Sequence, residues 1–353
     1  GGGDTNCAEG TASTIAGGTC NCVSSSAGCG TVAGGSGNLA CNSADFVGGG
    51  VNNRACGCYG CNTIAGGYGN SLLAGASGSF IGAGRGNVSN CEGTFIGGGG
   101  QNEAKSKYAV VTGGDRNVAC ANLTFVGGGQ QNRAIGDGAV TSGGCANVAC
   151  GLYSVAGGGN ANLADGACSV VAGGESNCAC GGQDAILGGS SNLANGGGAS
   201  IVGGYGNLAA ACAAVAVGGC SICACGDFSL VVGGCGNLAK GGSSVVTGGT
   251  RNKACGNQST VAGGADNITT AAYGMVGAGT VNRVAASHGF IGSGQHNTLS
   301  AEHIHSAILG SNITSVSANM LHTAMLYLSG IPTTDPGVTG VVWNSSGTLK
   351  ISL

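Results

Sequence analysis

Polar and apolar residues return along this chain with a period of 15. The unit reads Asn-x-Ala-x-Gly-x-x-Ser-x-Val-x-Gly-Gly. Its Asn falls at 6, 21, 38, 53, 70, 87, 102, 117, 132, 147, 162, 177, 192, 207, 237, 252, 267, 282, 297 and 312, and Ile222 takes the place once. From Asn87 onward the step is a constant 15, whereas the steps 21 to 38, 53 to 70 and 70 to 87 are 17, each absorbing two residues in a turn. A unit this short cannot bury a core alone, but stacked units share one. The pattern predicts a solenoid with one unit per coil.

With the Asn as position 1, positions 1 and 3 (Asn, then Ala in Ala8, Ala40, Ala55, Ala104, Ala119, Ala134 and Ala149) alternate with 2 and 4 as a short strand does. Gly at position 5 (Gly151, Gly181, Gly226, Gly241, Gly256) turns the chain. Positions 8 and 10 (Ser154, Ser169, Ser229 with Ile96, Val111, Val126, Val171, Ile186, Val231) mark a second strand, and Gly-Gly at 12 and 13 turns it back. The inward side chains are small or β-branched, so the space between the strands is thin. The expected architecture is all-β: a flattened parallel β-roll of about 20 coils over residues 1–312, followed by a small β tip over 313–353. Stacked Asn side chains can hydrogen-bond rung to rung, satisfying buried polar groups that otherwise cost ~1–3 kcal/mol each.

The second strand is apolar on its other side as well. Position 9 should point away from the roll core, yet it carries Phe46, Phe95, Val110, Phe125, Val140, Val155, Val170, Val215, Leu230, Val245, Met275 and Phe290. A strand apolar on both faces is buried on both faces. Charge falls on the first strand, with Arg54, Glu103, Arg133, Lys253 and Arg283 at position 2 and Lys105, Asp165 and Lys240 at position 4, so that strand faces water. An apolar ladder along a rod exceeds what a monomer leaves exposed. The simplest closed cover is a cyclic oligomer about an axis parallel to the rod, which makes position 9 the candidate interface.

Composition narrows the function by exclusion. Gly is 79 of 353 residues, but with 2 Pro and a period of 15 the chain is not collagen. At 7% charged and 42% hydrophobic residues it folds rather than remaining disordered. A net charge of −3 with 11 scattered Lys and Arg provides no footprint for nucleic acid. No apolar run approaches the ~20 residues of a membrane span, and no signal peptide opens the chain. No Ser-His-Asp, Cys-His or paired-carboxylate constellation rises above the repeat, so catalysis is not expected.

Of the 21 cysteines, 14 fall at outward positions 2, 4 and 14 (four, seven and three). Adjacent rungs lie ~4.8 Å apart, a spacing a disulfide tolerates, so Cys7 with Cys22, Cys41 with Cys56, and Cys220 with Cys235 are candidate rung disulfides. Two other readings stay open: Cys as a small filler for Ser or Ala, and metal ligation by Cys56, Cys58 and Cys61 or by Cys220, Cys223, Cys225 and Cys235.

Segments such as "GGGQQNRAIGDGAVTSGG" and "GGESNCACGGQDAILGG" resemble the head repeats of trimeric autotransporter adhesins of the YadA type and the equivalent segments of phage and large-virus fibre proteins. The likeness covers roughly residues 1 to 312, with a coil one residue longer than that family's usual repeat and with Cys often replacing Ser or Ala. It implies a left-handed roll, a homotrimer with the second strand toward the threefold axis, and an attachment role without chemistry. The tail Leu326 to Leu353 is similar to the C-terminal end of many phage tail-fibre proteins, which favours a virion-surface fibre over a bacterial adhesin or an extracellular filament. The implied partners are further copies of the chain, other virion or fibre proteins, and a host cell-surface receptor, with glycans among the candidates. An enzyme such as a glycan hydrolase is the weakest class.

All five histidines lie near the C-terminal end, and His303 and His305 share a strand face if the repeat count holds. That count puts His305 at position 9 and both His303 and His288 at position 7. Six imidazoles at a threefold axis would form an octahedral cage for Fe or another transition metal, similar to the His-x-His motifs of phage long tail fibres. The alternative is that the register slips here, because "AILGSN" is two residues shorter than the matching "AILGGSSN".

Overall fold

The structure, a computed structural model, describes residues 2–324, 332–334, 342–345 and 348–351. It is an all-β parallel solenoid of about 21 coils, with no helix among the described residues. Positions 2 and 3 pair in parallel with the same positions one coil on, from Cys7–Ala8 to Thr298–Leu299. Positions 9 and 10 do the same from Thr14–Ile15 to Leu321–Thr323, so the pairing of the roll continues past residue 312. At ~4.8 Å per rung the rod is about 95 Å long. Of the tail Leu326 to Leu353, two strands are described, Val342–Ser345 and Thr348–Ile351, which pair antiparallel.

A third line of contact corrects the two-strand reading. Position 14 makes single-residue parallel bridges up the rod, as in Gly100 to Asp115, Gln130 and Cys145. These bridges use backbone groups alone, so the side chains vary freely and leave no pattern in the sequence.

Inside, Ala104, Ala119 and Ala134 at position 3 face Ile96, Val111 and Val126 at position 10, all fully buried. Each Asn of the ladder as far as Asn297 closes a corner, whereas Asn312 falls one place short and Ile313 donates its amide to Asn297 Oδ1 (3.0 Å) instead, because the two-residue slip before Ala307 shifts the count. The Asn132 amide donates to Asn117 Oδ1 (2.9 Å), while Asn117 Nδ2 donates to the carbonyls of Gly113 (2.8 Å) and Gly129 (2.9 Å). The glycine at position 13 is required by both conformation and space. Gly129 sits at φ +81°, and a Cβ there would stand 2.1 Å from the Gly144 carbonyl oxygen.

Position 7, in the turn before the second strand, takes the left-handed conformation with ordinary residues: Tyr108, Leu123, Tyr153, Phe228 and Tyr273 have φ between 53° and 59°. Such backbone costs energy in a non-glycine residue. The Tyr153 ring lies 2.4 Å from where a Cβ on Gly138, one coil earlier, would stand.

Candidate interaction surface

Position 10 points into the roll and position 9 points out, as the strand alternation requires. Phe95 keeps 40% of its surface exposed and Met275 40%, Phe46 and Phe125 are similarly open, and Val110, Val140, Val155, Val170, Val215, Leu230 and Val245 are half-buried. Phe290 belongs to the same row and pairs with Met275. Phe80 and Phe95 stack with ring centroids 5.3 Å apart.

Position 11 completes this face, and sequence reasoning missed it. Where position 9 is Phe, position 11 is Gly: Phe46 with Gly48, Phe80 with Gly82, Phe95 with Gly97, Phe125 with Gly127, Phe290 with Gly292. The ring lies flat over the glycine, its Cε1 3.2 Å from where a Gly127 Cβ would stand and 3.4 Å at Gly97. Where position 9 shrinks, position 11 grows, as in Ala185 with Leu187 and Ser200 with Val202. Leu187 is 58% exposed and Val202 47%. At these rungs side-chain volume is traded between the two positions, while Leu230 with Val232 and Val155 with Gly157 stand outside the trade. No rung of the 21-strand ladder carries a charge at position 9 or 11. The first strand contrasts with this, presenting Arg54, Arg133, Lys253 and the ion pair Lys105–Glu103 (2.6 Å).

The histidine placement is corrected. Phe290 pairs with Ala307 and Ile291 with Ile308, so two extra residues are taken up in the turn before them and His305 falls at position 7 rather than 9. Its ring stacks on His288 (4.8 Å), which stacks on Tyr273 (4.6 Å). His303 lies in the enlarged turn, where Nδ1 is 2.6 Å from Ser315 Oγ. The two imidazoles therefore do not share the position 9 face, and the geometric ground for an axial Fe cage is gone. Among the described residues, no three His, Cys, Asp or Glu side chains are grouped to hold an ion.

Cys41 and Cys56 are joined by a disulfide, with Cα atoms 4.7 Å apart. Cys7 and Cys22 are ladder partners with free thiols, as are Cys220 and Cys235. Two further disulfides, Cys178–Cys180 and Cys223–Cys225, link positions 2 and 4 of one strand. Neighbours two apart on a strand share a face, a route that counting between rungs overlooks.

A buried carboxylate was also not anticipated. Asp45 at position 8 accepts from the Asn62 amide (3.1 Å), Asn62 Nδ2 (3.0 Å) and the Asn42 amide (2.9 Å). Burial pushes its carboxyl above the usual aspartate range, although these donors pull it down.

Two cavities of about 360 Å³ each are the open end of the solenoid at Gly2, Asn6 and Ile15 and a groove between Tyr59, Glu92 and Lys107. Neither gathers a catalytic constellation. The protein is thus a parallel β-solenoid with one uncharged face along its length. No protein-family model matches the chain, and no curated protein is significantly similar to it.

Proposed function

We propose that this chain is the shaft of a homotrimeric fibre on a virion surface, in which the faces formed by positions 9 and 11 meet around the threefold axis and the outer edges contact a host surface. One observation carries the reading: a face without charge at positions 9 and 11 over the 21 rungs, on which every Phe at position 9 is met by Gly at position 11. A surface exposed to water gains nothing from excluding charge and matching rings to glycines, whereas a surface packed against its own copy does. The face measures about 95 Å by roughly 10 Å, on the order of 1,000 Å² per chain, which exceeds the apolar patches of ordinary monomers and reaches the size of stable interfaces. With that face covered, the position 7 edge stays open. It presents Tyr153 (61% exposed), Phe228 (66%) and Tyr273 (52%), amphipathic and apolar rings suited to stacking on a glycan receptor. The role is structural and adhesive, without chemistry of its own.

Replacing Phe95 and Phe125 with Asp tests the reading, because two unpaired charges in a dry interface each cost several kcal/mol. Sedimentation should show the assembly dissociating while the far-ultraviolet spectrum stays β-rich. An assembly that survives with unchanged melting would place the contact elsewhere.

A further inference from the structure

Between Asn21 and Asn297 the asparagine clasp is broken at one coil, that of Ile222. The Ile222 amide still donates to Asn207 Oδ1 (3.1 Å). Its side chain returns no oxygen to the Asn237 amide and no nitrogen to the carbonyls of Gly218 and Gly234, the groups that an Asn here would engage by analogy with Asn207 and Asn252. The backbone differs on both sides of the gap. Gly218 and Gly233, at position 12, turn to φ 68° and 73°, and the second strand lengthens so that Val215–Val217 pairs with Leu230–Val232.

At this same corner Cys220 and Cys235 occupy position 14 of consecutive coils and are bridge partners, the one step of that ladder with Cys on both sides. Parallel partners stand ~4.8 Å apart, within the ~4.4–6.8 Å Cα range of disulfides. Cys41 and Cys56, also one coil apart, are joined at 4.7 Å. The neighbouring Cys220 side chain is the first cause raising the Cys235 thiol above its usual range. Nearby Cys223 and Cys225 are bonded to each other, and Cys235 is exposed to a reagent.

We propose that Cys220 and Cys235 form a disulfide across the rungs that takes over the role of the asparagine missing at Ile222, clamping the corner covalently where the hydrogen-bonded clasp is absent. The oxidant is a small external disulfide of the glutathione type. One thiolate of the pair attacks a sulfur of the reagent, forming a mixed disulfide and releasing one small thiolate; the second then displaces the other. The protein pair gives up two electrons, its two protons pass to solvent or to the released thiolates, and the external disulfide leaves as two thiols. This inference is independent of how the copies of the chain assemble.

The full chain, treated with oxidised glutathione and alkylated, is digested without reduction and mapped by mass spectrometry. A linked peptide joining Cys220 to Cys235 is expected. Recovery of both as alkylated thiols, or in other linkages, overturns the proposal. Because chemical reduction would also open Cys223–Cys225, the clamp is removed by Cys220→Ser/Cys235→Ser, and hydrogen exchange at the Asn237 amide is followed in two backgrounds. Exchange should speed up about tenfold or more with Ile222 present, and less than about twofold once Ile222→Asn restores the clasp. Equal acceleration in both would show that the disulfide does not substitute for the asparagine.

Discussion

At the scale of single residues, stability rests on polar groups that have been taken out of water and paired. Asn117 supplies one acceptor and two donors, each meeting a backbone group of the roll. Asn117→Ala would strand those partners at ~1–3 kcal/mol each, so chemical denaturation should show a loss of about 3 kcal/mol or more. A loss below about 1 kcal/mol would mean that the clasp is ornamental. Asp45 makes a pH-dependent case, because its folded value is raised and the folded chain keeps that proton longer than the unfolded chain. Stability from this group is therefore highest below the usual aspartate value near 4. It falls as pH rises through the raised folded value and is flat above it. The stability of Asp45→Asn relative to the parent should climb across that window in denaturation series at stepped pH; a difference without slope would show that Asp45 titrates normally. The Asn ladder was legible because its spacing is regular. Asp45 was not, because position 8 varies from coil to coil, with Asp184, Asn62 and Gly274 beside the more frequent Ser, Thr and Ala, and an Asp there reads as a surface residue.

At the scale of the element, each strand of the roll is two or three residues long and takes its identity from its neighbours above and below. The inward positions 3, 8 and 10 were legible because small and β-branched residues recur there. The position 14 ladder was hidden because Tyr68, Asp115, Gln130 and Cys145 share only backbone pairing. The left-handed turn at position 7 was hidden because Tyr108 and Phe228 are not residues that favour it. His305 was misplaced because the two extra residues before it could be absorbed on either side of His303, and only the pairing of Phe290 with Ala307 decides. The trade between positions 9 and 11 makes its own prediction. Ala185→Phe alone puts a ring against Leu187 and should weaken assembly at least tenfold, a loss of about 1.4 kcal/mol or more. Adding Leu187→Gly recreates the pairing of Phe95 with Gly97 and should restore most of it. If the double variant assembles no better than the single one by sedimentation, the trade does not shape an interface.

At the scale of the whole molecule, the solenoid has two unlike sides: a first strand with charges and an ion pair, and a second strand with none. Periodicity made the rod legible, and the apolar row of position 9 pointed to a covered face; position 11, with its mixture of Gly, Ala, Thr, Val and Leu, looked like turn filler until the strand was seen to present it beside position 9. The central claim is that three such faces close on one another. The most direct test is the mass of the native particle by sedimentation equilibrium or native mass spectrometry. The account predicts three copies of the 33.0 kDa chain, about 99 kDa; a particle of one or two copies, stable across micromolar concentrations, would contradict it.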